Sequence, residues 1–339
     1  MVRTVAQLRT PALLIDTPTF EANLAAMDAV LPGSRLRPHV KATKSTTLAR
    51  HLAEGGHRSF CAATPREIEG LVAAGLVDDL LLANETLDTA RLGALSERAN
   101  ITVAVDSRAT IEAAASGGVR SVLIDVNVGL PRCGCEPAEA PALAELARSS
   151  GLEVRGVMGY EGHLMMVTDR AERAQRTAEA MALLTHAADE VGGDVVSGGG
   201  TGTFDVNTSC TEIQAGSYAL LDTDYDTLDL PFAKALSVLA TVISVSAKGW
   251  IIADAGLKAF GMDHGNPSWD DGEVFFCSDE HITLLPTDAL SSNGAAWKVG
   301  DRVRLWPAHV DPTVARHQRY HLVDGDDVVD EWEIDLRHW

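Results

Sequence analysis

The sequence predicts an α/β protein, a (β/α)8 barrel joined to an all-β domain. Two observations predict it. Up to about residue 214, short β-rich runs alternate with stretches rich in Ala, Leu, Glu and Arg. Beyond about Ala233 the runs become short, β-branched and turn-bounded, with no long helical pattern between them. The barrel runs are 35–40, 59–63, 79–83, 101–105, 121–127, 153–160, 194–197 and 211–214. Strands alternating with helices over about 200 residues fit a barrel; a doubly wound open sheet fits the same alternation. The second set is 238–245, 249–253, 273–277, 282–286, 302–306 and 320–323. An isolated early strand, 12–16, precedes a helix at 19–30 and fits either domain. The expected organisation is a barrel over 17–233 and a β-domain over 234–339, the latter joined by residues 1–16.

Composition narrows the class of function. The 339 residues are 46% hydrophobic, ample for a large core, and the net charge is −20. So acidic a chain is a poor partner for nucleic acid or an anionic membrane. No apolar run reaches 18 residues, so no membrane span is expected, and residues 1–9 do not read as a leader. The five cysteines, Cys61, Cys133, Cys135, Cys210 and Cys277, are odd in number and scattered. That argues for reduced thiols and a cytoplasmic protein. Cys133-Gly-Cys135 has no second Cys/His pair nearby to complete a metal site.

A barrel carries its reactive groups at the C-terminal ends of its strands, which directs the search. The first run ends in Arg37-Pro-His-Val-Lys41. A lysine at a buried strand end is either a nucleophilic amine with a lowered pKa or one that has emerged into solvent. Lys44 falls at the start of the next helix. The seventh run leads into Gly198-Gly-Gly-Thr-Gly-Thr203, whose glycines let backbone N–H groups approach an anion. The loop after strand seven is a common barrel phosphate site. A second small-residue turn, Gln214-Ala-Gly-Ser-Tyr218, lies beside it in the order of strands. A Schiff-base lysine with a phosphate loop suggests pyridoxal 5'-phosphate. In the β-domain, His309 and Asp311 would share one face of a strand, as a divalent-metal pair or as an exposed polar pair.

These motifs occur together and in order, with Arg132-Cys-Gly134, Gly159-Tyr160 and Asp254-Ala-Gly-Leu-Lys258 among them. The set resembles the D-threonine aldolase/D-serine dehydratase group of fold-type III pyridoxal-phosphate enzymes, which share the alanine-racemase barrel and β-domain. The resemblance runs from Thr10 to Thr313. It implies that Lys41 is the Schiff-base lysine and that Gly200, Thr201, Gly202, Gly216, Ser217 and Tyr218 bind the phosphate. It places Arg132 near the cofactor's phenolic oxygen and Tyr160 beside the ring. Gln214 falls where alanine racemases carry an arginine facing the pyridine nitrogen. His309 and Asp311 become the metal ligands. Dehydratase relatives show H-x-C, suited to zinc, whereas aldolases show H-x-D, suited to manganese or magnesium. The implied activity is metal-dependent retro-aldol cleavage of a D-β-hydroxy-α-amino acid to glycine and an aldehyde, with His163 as a candidate base. A dehydratase giving keto acid and ammonia, a metal-free racemase and a non-catalytic cofactor carrier are the alternatives. The small amino-acid substrate is the expected partner, and the resemblance implies a homodimer.

Overall fold

The computed structural model describes residues 3–288 and 294–339. The chain divides into two compact units. One takes residues up to Ala26 together with Ser217–Ile334; the other takes Met27–Gly216 and Asp335–Trp339. The textural change near 233 therefore falls inside the first unit, about one turn-rich segment beyond the division at 216–217.

In the first unit, β1 (Ala12–Asp16) runs into α1 (Thr17–Val30), whose beginning belongs to that unit. The early strand pairs antiparallel with a strand at Leu236–Val245 and parallel with one at Arg319–Asp324. It thus belongs to the β unit.

The second unit is the barrel. Its parallel sheet holds β2 (Ser59–Ala62), β3 (Asp79–Leu82), β4 (Ile101–Val105), β5 (Ser121–Asp125), β6 (Glu153–Gly159), β7 (Val195–Gly198) and β8 (Glu212–Ile213), in sequence order. These strands are almost wholly apolar and buried, as a parallel sheet covered on both faces requires. Cys61, Leu81, Ala104, Leu123 and Met158, one from each of β2 to β6, pack into one buried cluster.

The run expected at 35–40 forms the closing stave, but without a regular ladder. Leu36 bridges Ile213 of β8 and His39 bridges Cys61 of β2, both in parallel sense. The Arg37 and His39 N–H groups donate to Ile213 and Ala215, each at 2.9 Å. On the other side, Cys61 N–H donates to Pro38 O and Val40 N–H to Cys61 O, each at 2.8 Å. Pro38 has no N–H to give, so the ladder cannot run on.

Arg37 supplies what the ladder lacks. It is buried, and its Nε and Nη2 donate to Glu212 at 2.7 and 2.9 Å, while Nη2 also meets Asp79 at 2.7 Å. Arg155 of β6 donates to the same Asp79 at 2.8 Å, and Ser197 of β7 to Glu212 at 2.7 Å. The starts of five staves are thereby tied into one ionic network.

Helices α2 (Thr46–Glu54), α3 (Pro65–Ala73), α4 (Thr89–Leu95), α5 (Arg108–Gly117), α6 (Ala140–Ser149) and α7 (Arg170–Val191) follow the staves. Ser45, Thr64, Ser107 and Asp169 cap α2, α3, α5 and α7 by accepting from the third helical N–H.

The rest of the first unit is β9 (Leu236–Val245), β10 (Ile251–Ala253), β11 (Gly272–Cys277), β12 (Ile282–Pro286), β13 (Arg302–Leu305), β14 (Arg319–Asp324) and β15 (Asp327–Glu333). The sheet order is β11-β12-β10-β9-β1-β14-β15, with β13 also on β9. The hairpin strand β15, Asp-Val-Val-Asp-Glu-Trp-Glu, carries too many acids to read as a strand and was not expected. A second departure matters more: residues 310–315 are helical. Helix α8 (Val310–Ala315) has His309 at its N-cap and Pro312 in its first turn, where a missing N–H costs nothing.

Among the described residues, no helix is long and apolar enough to cross a membrane. Replacing Arg37 by Met should destabilise the protein by about 3–5 kcal/mol, because Glu212 and Asp79 would lose their buried counter-charge. Denaturant titration checks this; a loss under about 1 kcal/mol would mean the network is dispensable.

Candidate active site

In the barrel unit, Lys41 ends the closing stave. Its Nζ lies 5.8 Å from the centroid of the Tyr160 ring, and the Arg132 guanidinium carbon lies 5.3 Å from the same centroid. Tyr160 directly follows β6, and Arg132 stands in the loop after β5. Lys44 is committed elsewhere, to the fully buried carboxylate of Glu67. Burial, then the charges of Lys41, Lys44 and Arg132, hold the His39 imidazole well below its ordinary pKa. His39 is therefore neutral, and its Nδ1 can accept from Lys41 N–H at 3.4 Å.

Two glycines bring the loops close. A Cβ on Gly216 would lie 2.4 Å from His39 O, so only glycine lets the turn after β8 lie against the Lys41 segment. A Cβ on Gly202 would lie 2.1 Å from Met165 O, and one on Gly200 would lie 3.5 Å from Tyr160 Cε2. Lys41, Tyr160, Arg132, Gly200 and Gly216 are thus gathered at one end of the barrel, with Thr201 and Gly202 continuing the loop. Gln214 lies between neighbouring staves: its Oε1 accepts from Cys61 Sγ at 3.1 Å and its Nε2 donates to Ser197 Oγ at 2.9 Å. His163 is exposed on a short 3-10 turn, its ring against Gly129 in the Arg132 loop. Burial and the nearby Arg176 charge lower its pKa, leaving a neutral imidazole that can accept a proton.

Sequence reasoning missed two features here. Glu161, fully buried, accepts from Gly199 N–H at 3.1 Å, Thr203 Oγ1 at 2.8 Å and Asn207 Nδ2 at 2.9 Å. One carboxylate therefore fixes the glycine-rich loop from beneath. The other feature is the carboxyl pair of Asp125 and Glu85. Burial, then the charge and hydrogen bond of Glu85, push Asp125 well above the usual carboxylate range. The Glu85 oxygens are shielded from water, and the Cys133 thiol, raised to about 12 by burial and by Glu85, is hydrogen-bonded to the same carboxyl. Neither acid belongs to a motif with a recognisable spacing.

In the other unit, Ser217 and Tyr218 begin a 3-10 turn. Tyr218 is buried against Phe232, with ring centroids 5.7 Å apart. Ser217 Oγ donates to Asp311 Oδ1 at 3.4 Å. His309 and Asp311 do not lie on a strand face as expected: they are the N-cap and second residue of α8. His309 Nδ1 meets Asp263 Oδ2 at 2.6 Å. His264 stacks on His309 at 4.0 Å and 10°, and its own Nδ1 meets Asp224 at 2.6 Å. Asp263, His264 and His309 offer ligand atoms within 4.8 Å of one another. Buried Asp222 accepts from Val310 N–H at 2.9 Å and so holds the start of α8. Burial raises its pKa to about 6 despite the N–H donors of Tyr225 and Val310. The adjacent Asp263-His264 was the available signal, but its relation to His309 depends on the tertiary fold.

These donor sets fit two groups. A lysine amine, an arginine, an aromatic ring and glycine-rich loops suit an aldehyde-bearing aromatic phosphate. Imidazole and carboxylates suit a divalent ion of intermediate to hard character.

The comparisons agree with this class, an alanine-racemase-like barrel enzyme. The family described as "Alanine racemase, N-terminal domain" matches residues 15–223, and "Putative serine dehydratase domain" matches 235–323. A D-threonine aldolase of Arthrobacter sp. is 34% identical over 98% of this chain and 94% of its own. A D-threo-3-hydroxyaspartate dehydratase of Delftia sp. is 30% identical over 98% and 99%. The crystal structure of D-threonine aldolase from Filomicrobium marinum superposes with a TM-score of 0.92 at 30% identity, covering 99% of this chain and 98% of that one. The chain belongs to the D-threonine aldolase/D-serine dehydratase group of the fold-type III pyridoxal-phosphate enzymes.

Two measurements check the barrel site. Glu161→Ala should cost about 3 kcal/mol, since several buried donors lose their acceptor. Amide exchange in 199–207 should rise with it; unchanged exchange would show that the loop does not need the carboxylate. His39 gives a pH dependence. Unfolded, it takes up a proton below about pH 6.5, which the buried ring resists. Its contribution is therefore present above that pH and lost as pH falls. In His39→Gln the decline in unfolding free energy between about pH 7 and 5 should be shallower than in wild type.

Proposed function

We propose that this protein is a pyridoxal-phosphate- and divalent-metal-dependent aldolase that cleaves D-β-hydroxy-α-amino acids to glycine and an aldehyde. The observation that carries this reading is the His309-Val-Asp311 pair with a carboxylate, Asp263, on the second nitrogen of His309. An imidazole and a carboxylate form a set suited to manganese or magnesium.

When bound, pyridoxal phosphate supplies an electron sink for the carbanion left by bond cleavage. When bound, the divalent ion supplies Lewis acidity toward the substrate β-hydroxyl. Lys41 would hold the cofactor through its aldehyde, its amine being the nucleophile at that end of the barrel. Gly200, Thr201, Gly202, Gly216, Ser217 and Tyr218 bind the phosphate through backbone N–H and hydroxyl groups. Tyr160 would flank the cofactor ring, and Arg132, 5.3 Å from the Tyr160 ring centroid, would set a positive charge near the phenolic oxygen. Gln214, its amide bonded to Cys61 and Ser197, would give the pyridine nitrogen a neutral neighbour that does not hold a proton there. His163 accepts the β-hydroxyl proton, and His309 and Asp311 hold the ion. D-threonine would give glycine and acetaldehyde, and D-3-hydroxyaspartate would give glycine and glyoxylate.

The second reading, a dehydratase, is supported by the Delftia relative and by the serine dehydratase domain match over 235–323. It expels the β-hydroxyl and gives a keto acid and ammonia. The H-x-D pair in this chain supports the aldolase instead.

Purified protein with pyridoxal phosphate and Mn²⁺ or Mg²⁺, given either substrate with and without EDTA, decides the matter. Glycine and aldehyde formed only with metal are expected; keto acid and ammonia would move the reaction to elimination. Asp311→Ala should lower kcat/KM at least about 100-fold while keeping the visible absorbance of the Lys41-bound cofactor. Lys41→Ala should abolish that absorbance.

A further inference from the structure

We infer that Asp263 is a positioning residue for the metal ligand His309: it fixes the tautomer and ring orientation so that Nε2, not Nδ1, meets the ion. The inference rests on the proposed function's assignment of His309 and Asp311 as ligands. Three contacts argue for it. Asp263 Oδ2 lies 2.6 Å from His309 Nδ1, so the carboxylate accepts the Nδ1 proton and leaves the Nε2 lone pair outward. The His264 ring stacks on His309 at 4.0 Å and 10°, blocking rotation out of that plane. His264 is itself held by Asp224 at 2.6 Å from its Nδ1. His264 Nε2 is 3.7 Å from Asp263 Oδ2, beyond hydrogen-bond reach, so the carboxylate is directed to His309. The backbone of His309 is fixed as well: its carbonyl accepts from Thr313 Oγ1 at 2.7 Å, and the next N–H bonds Asp222 at 2.9 Å. Every freedom of the His309 side chain is thus removed by a neighbour, while Asp263 and His264 serve as supports and not as ligands.

Mn²⁺ titrated calorimetrically into the cofactor-loaded, EDTA-treated protein reads this without turnover. Asp263→Ala should weaken Mn²⁺ binding about 10- to 100-fold. Asp263→Asn, whose amide oxygen still accepts from Nδ1, should stay within about threefold of wild type. Electron spin-echo spectra of Mn²⁺ bound to the wild-type protein should show a single coordinated imidazole. An unchanged affinity in Asp263→Ala would overturn the inference. So would an Asn variant as weak as the Ala variant, or a second coordinated imidazole, since each would make the cluster a direct ligand set. Asp311→Ala separates the two claims: if it binds Mn²⁺ as well as wild type, the ligand assignment itself fails, whatever Asp263 does.

Discussion

The barrel closes on a stave that cannot make a full ladder, and Arg37 is the group that lets it close. Two bridges and four backbone bonds hold residues 36–40 between β8 and β2. A buried guanidinium then reaches Glu212 on one side and Asp79 on the other. Burial alone would discourage the charge, but the two carboxylates more than offset it and keep Arg37 ionised throughout the accessible pH range. Such a network does not show that a protein is stable, because apolar residues of the same shape can do as well. It does specify register. The guanidinium fork accepts one arrangement of Glu212 and Asp79, and that arrangement fixes where residues 39–41 emerge. The position of Lys41 is therefore set by ions at the opposite end of its own short segment.

Charge at the site end follows from the same economy. Lys41 and Arg132 both approach Tyr160, and His39 is kept neutral beneath them. Carboxylates near the site are also assigned. Glu161 is consumed by three donors of its loop, and Asp125 holds the proton that lets it sit beside Glu85. The positive charge thus gathers over Tyr160, while the acids that support the loops are held by partners of their own.

Much of the barrel was legible because parallel strands covered on both faces read as continuous apolar runs. The runs at 101–105 and 121–127 correspond to β4 and β5, and the early run at 12–16 coincides with β1. What eluded the sequence had identifiable causes. Residues 35–40 read as a strand and function as a stave, but Pro38 interrupts the ladder. The β15 strand is acidic because it is the outer member of a hairpin, where side chains meet water. His309 and Asp311 were expected on one face of a strand, yet Pro312 fits the first turn of a helix and the segment folds as one. The glycine loops were visible as motifs because close backbone approach demands glycine, and Lys41 because a charged residue follows an apolar run. Glu161, Asp263 and His264 were not, since their roles are set by partners 38 to 46 residues away.

The helical setting of His309 and Asp311 changes the chemistry that their spacing can support. On a strand, two side chains two apart would present equivalent, parallel vectors to an ion. At an N-cap and the second helical position they diverge, and neither can be oriented by the backbone alone. An additional set of interactions must therefore decide which imidazole nitrogen is outward. Asp222 anchors the first helical N–H, Thr313 closes back on the His309 carbonyl, and Gly261 admits Pro312 where a Cβ would lie 2.2 Å from its ring. With the helix start fixed, an acid on Nδ1 is sufficient to define the remaining rotation. A three-residue motif thus becomes a candidate metal site only through four residues outside it, none of which its spacing reveals.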